Sequence, residues 1–179
     1  RHGLLAPLGL LGLLALGCDR PDAETCGPTS ARVVSVIDGD MIELEGGQRV
    51  RYLMIDTPEN TTETECWGPE AAAANTALVE GQTVTLRYDV ECEDDFGRLL
   101  AYVELGGQVI NEVMVERGHA CVLHIPPNGE DEVQTYEALE FEAALQVDSL
   151  LLHIQTDVGI FMGFFPARCA FVFFVGAGR

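Results

Sequence analysis

Between Ala31 and Leu105 the chain is divided into short runs in which apolar and polar residues alternate, separated by turns rich in glycine and aspartate. Alternation with a period of two sends successive side chains to opposite faces of a sheet. It predicts strands over Arg32–Ile37, Met41–Glu45, Gln48–Ile55, Gln82–Val90 and Arg98–Leu105. Asp38-Gly39-Asp40 turns the chain between the first two, with Gly39 supplying freedom in φ, and Gly46-Gly47 makes a hairpin to the third. Elsewhere the period lengthens. Trp67–Glu80 reads as a helix, with Pro69 suited to its first turn, a run of alanines, and Gly81 as its stop. Val109–Arg117 is a second helix, apolar on one face and stopped by Gly118. Beyond an extended stretch, His119–Ile125, and the break at Pro126-Pro127-Asn128-Gly129, a third helix covers Glu130–Gln146.

Five strands with a helix between the third and fourth predict an α+β fold: a five-stranded OB-type β-barrel with three helices. The third strand carries the most chemistry. It holds a cation, Arg51, and stops at Asp56-Thr57-Pro58-Glu59, because proline cannot continue a central ladder. One rigid element thus presents Arg51, Asp56 and Glu59 together, a combination suited to a hard metal ion and a phosphate.

The ends of the chain differ from this middle. Arg1 stands where Met is usual, which predicts a truncated or processed start. Leu4–Leu16 is an apolar run, too short to span a bilayer and similar to the core of a secretory signal. Ala15-Leu16-Gly17-Cys18 resembles a bacterial lipoprotein processing site, with Leu16 larger than usual. Residues 1–18 are therefore read as a signal, with a lipid on Cys18 and attachment to the cell envelope as one outcome, and secretion after ordinary cleavage as the other. Residues 19–30 form a polar tether, residues 31–146 the domain, and residues 147–179 an apolar tail. Pro166 and Arg168 within that tail argue against a membrane span.

Charge narrows the partners. There are 29 acidic residues against 10 basic ones, a net charge of −19, and every basic residue is arginine. Such a surface repels polyanions at a distance and excludes a broad basic groove that tracks nucleic acid. A compact site of a few arginines and a cation is compatible with it. Six cysteines are present without a Cys-x-x-Cys pair, which points to disulfides rather than zinc. Nucleophilic chemistry by cysteine with His119, His124 or His153 as base has no supporting spacing.

Taken in order, Val36-Ile37-Asp38-Gly39-Asp40, Arg51, Ile55-Asp56-Thr57-Pro58-Glu59, Gly68-Pro69-Glu70-Ala71, Gly97-Arg98-Leu99-Leu100-Ala101-Tyr102, and Asn111-Glu112 with Gly118 resemble the thermonuclease, or staphylococcal nuclease-like, family. The resemblance covers roughly Ala31 to Ala144. It implies calcium-dependent hydrolysis of phosphodiester bonds in DNA or RNA by a monomer. It implies Ca2+ held by the Asp40 and Asp56 carboxylates and the Thr57 backbone carbonyl. Glu59 would position or deprotonate the attacking water, and Arg51 and Arg98 would bind the phosphate and its developing charge.

The sequence also departs from the family. A lysine and a tyrosine usually precede the Gly-Arg and touch a substrate phosphate; here Asp95 and Phe96 stand there. Where a tyrosine lines the family site after the second helix, this chain offers His124. A Trp-containing segment that closes the domain is missing after Ala144. Three pairings of the four cysteines in or near the domain are open; Cys66 with Cys92, in the loops beside the site, would tether its rim. The alternative to an enzyme is a non-catalytic OB-type binding module of the cell envelope, which has no need of Asp40, Arg51, Asp56, Glu59 and Arg98 as a set.

Overall fold

The structure, a computed structural model, describes residues 26–61 and 64–157, with side chains as far as Gln146. The proposed signal, most of the tether and residues 158–179 lie outside the described residues, so the readings of Cys18 and of the apolar tail beyond Asp157 are not addressed by it.

Eight strands and three helices are described: β1 (Ser30–Asp38), β2 (Met41–Leu44), β3 (Arg49–Tyr52), β4 (Ile55–Asp56), α1 (Gly68–Val79), β5 (Thr83–Arg87), β6 (Leu99–Leu105), β7 (Gln108–Val109), α2 (Ile110–Glu116), β8 (Cys121–Val122) and α3 (Val133–Asp157). The main sheet runs β3-β2-β1-β5-β6-β7 and closes through a second pairing of β3 with β6. Closure makes β1, β2, β3, β5 and β6 the five strands of an OB-type barrel, as the alternation predicts. β1 serves both halves: Ser30–Arg32 pair with β5, and Val33 onward pairs with β2, with a register shift between Val33 and Ser35. Such an irregularity bends the strand so that one element can turn a barrel corner. The closing pair is parallel, with Val50 opposite Leu99 and Arg51 opposite Leu100.

The alternation fills the barrel. Val50 and Tyr52 of β3, Val84 and Leu86 of β5, and Leu99, Ala101 and Val103 of β6 all point into one core with Val33, Ile42 and Leu44. Each large side chain so buried contributes about 1.5–3 kcal/mol relative to exposure. α1 turns Ala71, Asn75 and Val79 inward against β1, at the spacing of one helix face. α2 lies between β6 and α3, with Ile110, Val113, Met114 and Val115 buried. Tyr136 anchors α3 in the core, whereas Phe141 and Leu145, further along, are exposed.

The third strand is shorter than the predicted Gln48–Ile55. It ends at Tyr52, the chain turns through Leu53 and Met54, and β4 begins at Ile55 to pair with β8. Met54 holds a positive φ of 67°. Asn111 of α2 makes the break possible: its buried amide donates to the Leu53 carbonyl at 2.9 Å and the Ala101 carbonyl at 3.3 Å, and its oxygen accepts the Val103 N–H at 2.9 Å. Backbone groups freed from the ladder are thereby satisfied inside the core.

The cysteine pairing also differs from expectation. Cys92 is bonded to Cys26, with Cα atoms 5.2 Å apart, and Cys66 is a free, exposed thiol. The cause is strand register. Ser30 lies opposite Thr85, so the chain before β1 runs back alongside the chain after β5 and brings Cys26 to Cys92. Cys66 instead sits at the entrance to α1. Among the described residues no helix is long and apolar enough to cross a membrane.

Candidate active site

Register brings the first two carboxylates to Arg51. Met41 pairs with Arg51, so Asp40 sits at the mouth of the β2–β3 ladder, where its carbonyl accepts the Tyr52 N–H at 2.9 Å. The Arg51 guanidinium then spans a gap. Its Nη1 lies 3.1 Å from Asp40 Oδ2, and its Nη2 lies 3.0 Å from Asp56 Oδ1. Nη1 also donates to the carbonyls of Ile55 at 2.7 Å and Tyr52 at 3.0 Å. One side chain therefore ties the end of β3 to β4 across the Leu53-Met54 turn.

Thr57 completes this corner. Its N–H donates to Asp40 Oδ2 at 2.7 Å, and both residues are buried. The Asp38-Gly39-Asp40 turn presses directly on Thr57, and a Cβ on Gly39 would stand 2.7 Å from Thr57 Oγ1 and Cγ2. Gly39 is not among the residues of positive φ, so its role is close approach rather than the conformational freedom expected of it. A second buried network supports the turn from below: Asn75 of α1 donates to the Asp38 carbonyl at 3.0 Å and accepts the Tyr52 hydroxyl at 3.0 Å.

Electrostatics at this corner are unbalanced. Burial pushes the Asp40 carboxyl up to about 7, against the pull of Arg51 and the Thr57 N–H, and the nearby Asp38 and Asp56 push it the same way. Three acids share one guanidinium, so the corner has a deficit of positive charge. Among the described residues no group of three or more His, Cys, Asp or Glu side chains stands at metal-holding spacing. The donors present, two carboxylates and the Thr57 backbone, are all oxygen. They fit a hard cation that keeps part of its shell for water and substrate.

Glu59 follows the Pro58 turn and is exposed; its carboxylate accepts the Thr61 hydroxyl at 3.4 Å, and its N–H is held by Glu65 Oε2 at 3.0 Å. Gly68, at the start of α1, packs on the Glu59 carbonyl with no room for a side chain. Arg98 comes from the other side, just before β6. Its Nε donates to Asp94 Oδ2 at 2.7 Å, its N–H to Asp94 Oδ1 at 3.0 Å, and its guanidinium lies 5.3 Å from the centre of the Phe96 ring. Arg51 and Arg98 line one groove of about 730 Å³. The structure thus joins Asp40, Arg51, Asp56 and Thr57 by direct contact, puts Arg98 in the same groove as Arg51, and leaves Glu59 on the adjoining turn.

The same groove takes in Phe96, which is 83% exposed, together with Asp95, Leu123 and Ile125. Leu123 and Ile125, not His124, are the residues that follow β8 into it. His124 lies between them on the chain and faces Gly129 and Glu130 instead. Sequence reasoning passes over Asp94, although Asp94-x-Phe96 is legible as a turn in which a short acid accepts the N–H two residues on, here at 2.9 Å.

The family model for staphylococcal nuclease homologues matches residues 49–150, more than half of the chain. The chain belongs to this family. Arg51, Asp56, Thr57, Glu59 and Arg98 fall inside the matched span, and Asp40 lies before it, in the turn between β1 and β2. Among curated relatives, a thermonuclease of Staphylococcus intermedius is 39% identical over 102 residues, covering 54% of this chain and 61% of the relative. A thermonuclease of Staphylococcus hyicus is 36% identical over 103 residues, with the same coverage. Endonuclease YncB of Bacillus subtilis is 36% identical over 96 residues, half of this chain and 46% of the relative. The matched part of the chain spans at most about three fifths of these relatives.

Proposed function

We propose that this member of the family is a nuclease that hydrolyses phosphodiester bonds of DNA or RNA with the help of calcium. The observation that carries the reading is Arg51 bridging Asp40 and Asp56 at one barrel corner, with Arg98 in the same groove. A binding surface has no use for a buried acid and a half-buried one, mutually repelling, held by a single guanidinium.

In this reading Asp40, Asp56 and the Thr57 carbonyl hold the ion. Bound calcium supplies positive charge to a phosphate oxygen and to the attacking water. The chain's own residues do the rest. Arg51, fixed by four acceptors, presents a cation that needs no reorganisation when charge builds on the phosphate. Arg98 does so from the opposite strand, with a planar fork matched to phosphate oxygens. Glu59, exposed and anchored among the described residues through its backbone and Thr61, is positioned to accept a proton from water. The acidic surface lowers ground-state attraction for a polyanion, which makes the ion the entry requirement for substrate.

We also propose export, either as a lipoprotein through Cys18 or in soluble form; the Cys26–Cys92 disulfide supports an oxidising compartment. The test of activity is digestion of a single-stranded oligonucleotide with calcium, with EDTA, and by Glu59→Gln. Cleavage that needs calcium and falls at least a hundredfold in the variant is expected. No cleavage with calcium at any salt concentration, or cleavage indifferent to EDTA, overturns the reading.

A further inference from the structure

The segment from Glu91 to Arg98 is fastened at each of its ends. At its start, Asn128, itself buried, accepts the Glu91 N–H at 2.7 Å and donates to the Glu91 carbonyl at 3.1 Å. Next along, Cys92 is bonded to Cys26, which precedes β1. The Leu100 N–H donates back to the Cys92 carbonyl at 2.8 Å, and Glu93 bridges to Leu99. At the tip, Asp94 and Arg98 exchange backbone and side-chain hydrogen bonds around the Gly97 turn, and Arg98 Nη2 lies 2.6 Å from Asp94 Oδ2. The result is a small hairpin that forms one wall of the groove, with Phe96 and Arg98 near its tip. The backbone joins it to β5 and to β6, and the disulfide adds a third covalent connection, to the chain before β1. The bond closes a loop of 66 residues that contains β1 through β5, and therefore Asp40, Arg51 and Asp56.

We propose that the Cys26–Cys92 disulfide, acting through Asp94, positions Arg98 against the Arg51 corner, so that the redox state of this bond sets the rate of the phosphodiester reaction. This rests on the nuclease reading of the site. Cys26, Cys92 and Asp94 are positioning residues; Arg98 alone of the four meets substrate. Opening the bond requires a dithiol. The S–S bond breaks, two electrons pass from the dithiol, which closes to its own disulfide, and its two protons end on the Cys26 and Cys92 sulfurs. The hairpin is then held by its chain ends at β5 and β6, by Asn128, by the Leu100 and Leu99 backbone contacts and by Arg98 Nη1 against Met41 Sδ at 3.8 Å. It lacks the tie to the chain before β1, and the Asp94–Arg98 pair shifts as a unit relative to the corner. A displacement of the order of 1 Å at such a group costs on the order of a hundredfold in rate.

Because Cys121 is also disulfide-bonded, a reductant is not selective. The test therefore compares Cys66→Ser, which removes the exposed free thiol, with the same protein carrying Cys26→Ser and Cys92→Ser in addition. Two readouts are taken: kcat and KM on a single-stranded oligonucleotide in saturating calcium, and solvent exchange of the Arg98 Nε–H by NMR. The expected result is a 10- to 100-fold lower kcat, a KM within threefold, and faster Nε–H exchange, while the Asn111 side-chain amide in the core keeps its shift. A reversible dithiol treatment lowers the kcat of Cys66→Ser but not that of the triple variant, which separates the Cys26–Cys92 bond from the Cys121 bond. Unchanged kcat and exchange in the serine variants overturn the proposal. So does loss of the Asn111 signal, which makes the bond a general staple of the fold. If Cys66→Ser does not cleave at all, the nuclease reading falls and the rate claim with it, and Nε–H exchange alone then reports whether the bond holds Arg98.

Discussion

Arg51 Nη1 stands 3.1 Å from Asp40 Oδ2, joining β3 to the turn that opens β2, with only 15% and 7% of the two side chains exposed. So little water reaches the pair that neither charge is tolerable alone. Arg51→Met therefore destabilises the calcium-free protein by about 3–5 kcal/mol in urea titrations. On the calcium reading proposed for this site, millimolar calcium is expected to restore part of this loss, because a bound cation would replace the missing charge. Asp40→Asn keeps the acceptor for Thr57 but removes the ligand. The calcium-induced rise in Tm, equivalent to about 2.7 kcal/mol at a hundred times Kd, is expected to vanish in that variant.

Arg98→Met removes a donor aimed at the phosphate and leaves the barrel intact, since Arg98 borders the groove and not the core. A loss of about 2–4 kcal/mol of transition-state stabilisation is expected, read as a 10²–10³-fold lower kcat, with a fall in Tm no larger than that of Asp94→Asn, which breaks the same pair. Equal losses in Tm and activity would assign Arg98 a structural role instead.

Asp94 makes the hairpin sensitive to acid. Burial pushes its carboxyl up, but hydrogen bonds from the Arg98 side chain and from the Arg98 and Phe96 N–H groups outweigh burial and hold it below its ordinary value. A carboxyl held low in the folded state releases its proton more readily there than in the unfolded chain. Its contribution to stability is thus present above about pH 4 and is lost as pH falls through the lowered value. Melting curves of wild type and Asp94→Asn recorded from neutral pH downward should be separated at pH 6 and converge in acid. A constant gap counts against the pair.

Asn111 is fully buried and satisfies Val103, Leu53 and Ala101. Asn111→Ala leaves a buried N–H and a buried carbonyl without partners, at a cost of about 2–4 kcal/mol. Urea midpoints measure this. Activity at temperatures where the variant is still folded is expected to fall too, because the Leu53-Met54 turn sets the path of Arg51 to Asp56.

Gly39→Ala drives a methyl group into Thr57. A cost of about 1–3 kcal/mol is expected from the forced shift. Because Thr57 moves and Asp40 is bonded to it, calcium affinity measured by the ligand-induced Tm shift should fall together with stability.

Much of the barrel was legible because a strand half-buried in a small core must alternate, and Val50, Tyr52, Val84, Leu86 and Leu99 do. The long run Gln48–Ile55 misled for the same reason. The apolar run continues through Leu53, Met54 and Ile55 with no turn residue to interrupt it, and Asn111, 58 residues away from Leu53, captures the backbone that leaves the ladder. Proximity along the chain points to Cys66 as the partner of Cys92, whereas the pairing follows the register of β1 against β5, which brings in Cys26. The sequence offers His124 at this place, but Leu123 and Ile125 are the residues that reach the groove.

By itself the sequence determined which chemical groups stand at the strand ends: Asp40 after a tight turn, Arg51 within a strand, Asp56-Thr57-Pro58-Glu59 at its stop, and Arg98 beside Gly97. Those are local matters of turn residue, alternation and charge. Tertiary structure decided which of them face one another. The parallel closure of β3 on β6, the bend in β1 and the tether at Cys26–Cys92 bring distant residues into one corner. Register between strands depends on what the whole core can bury, a sum over residues that no single segment contains.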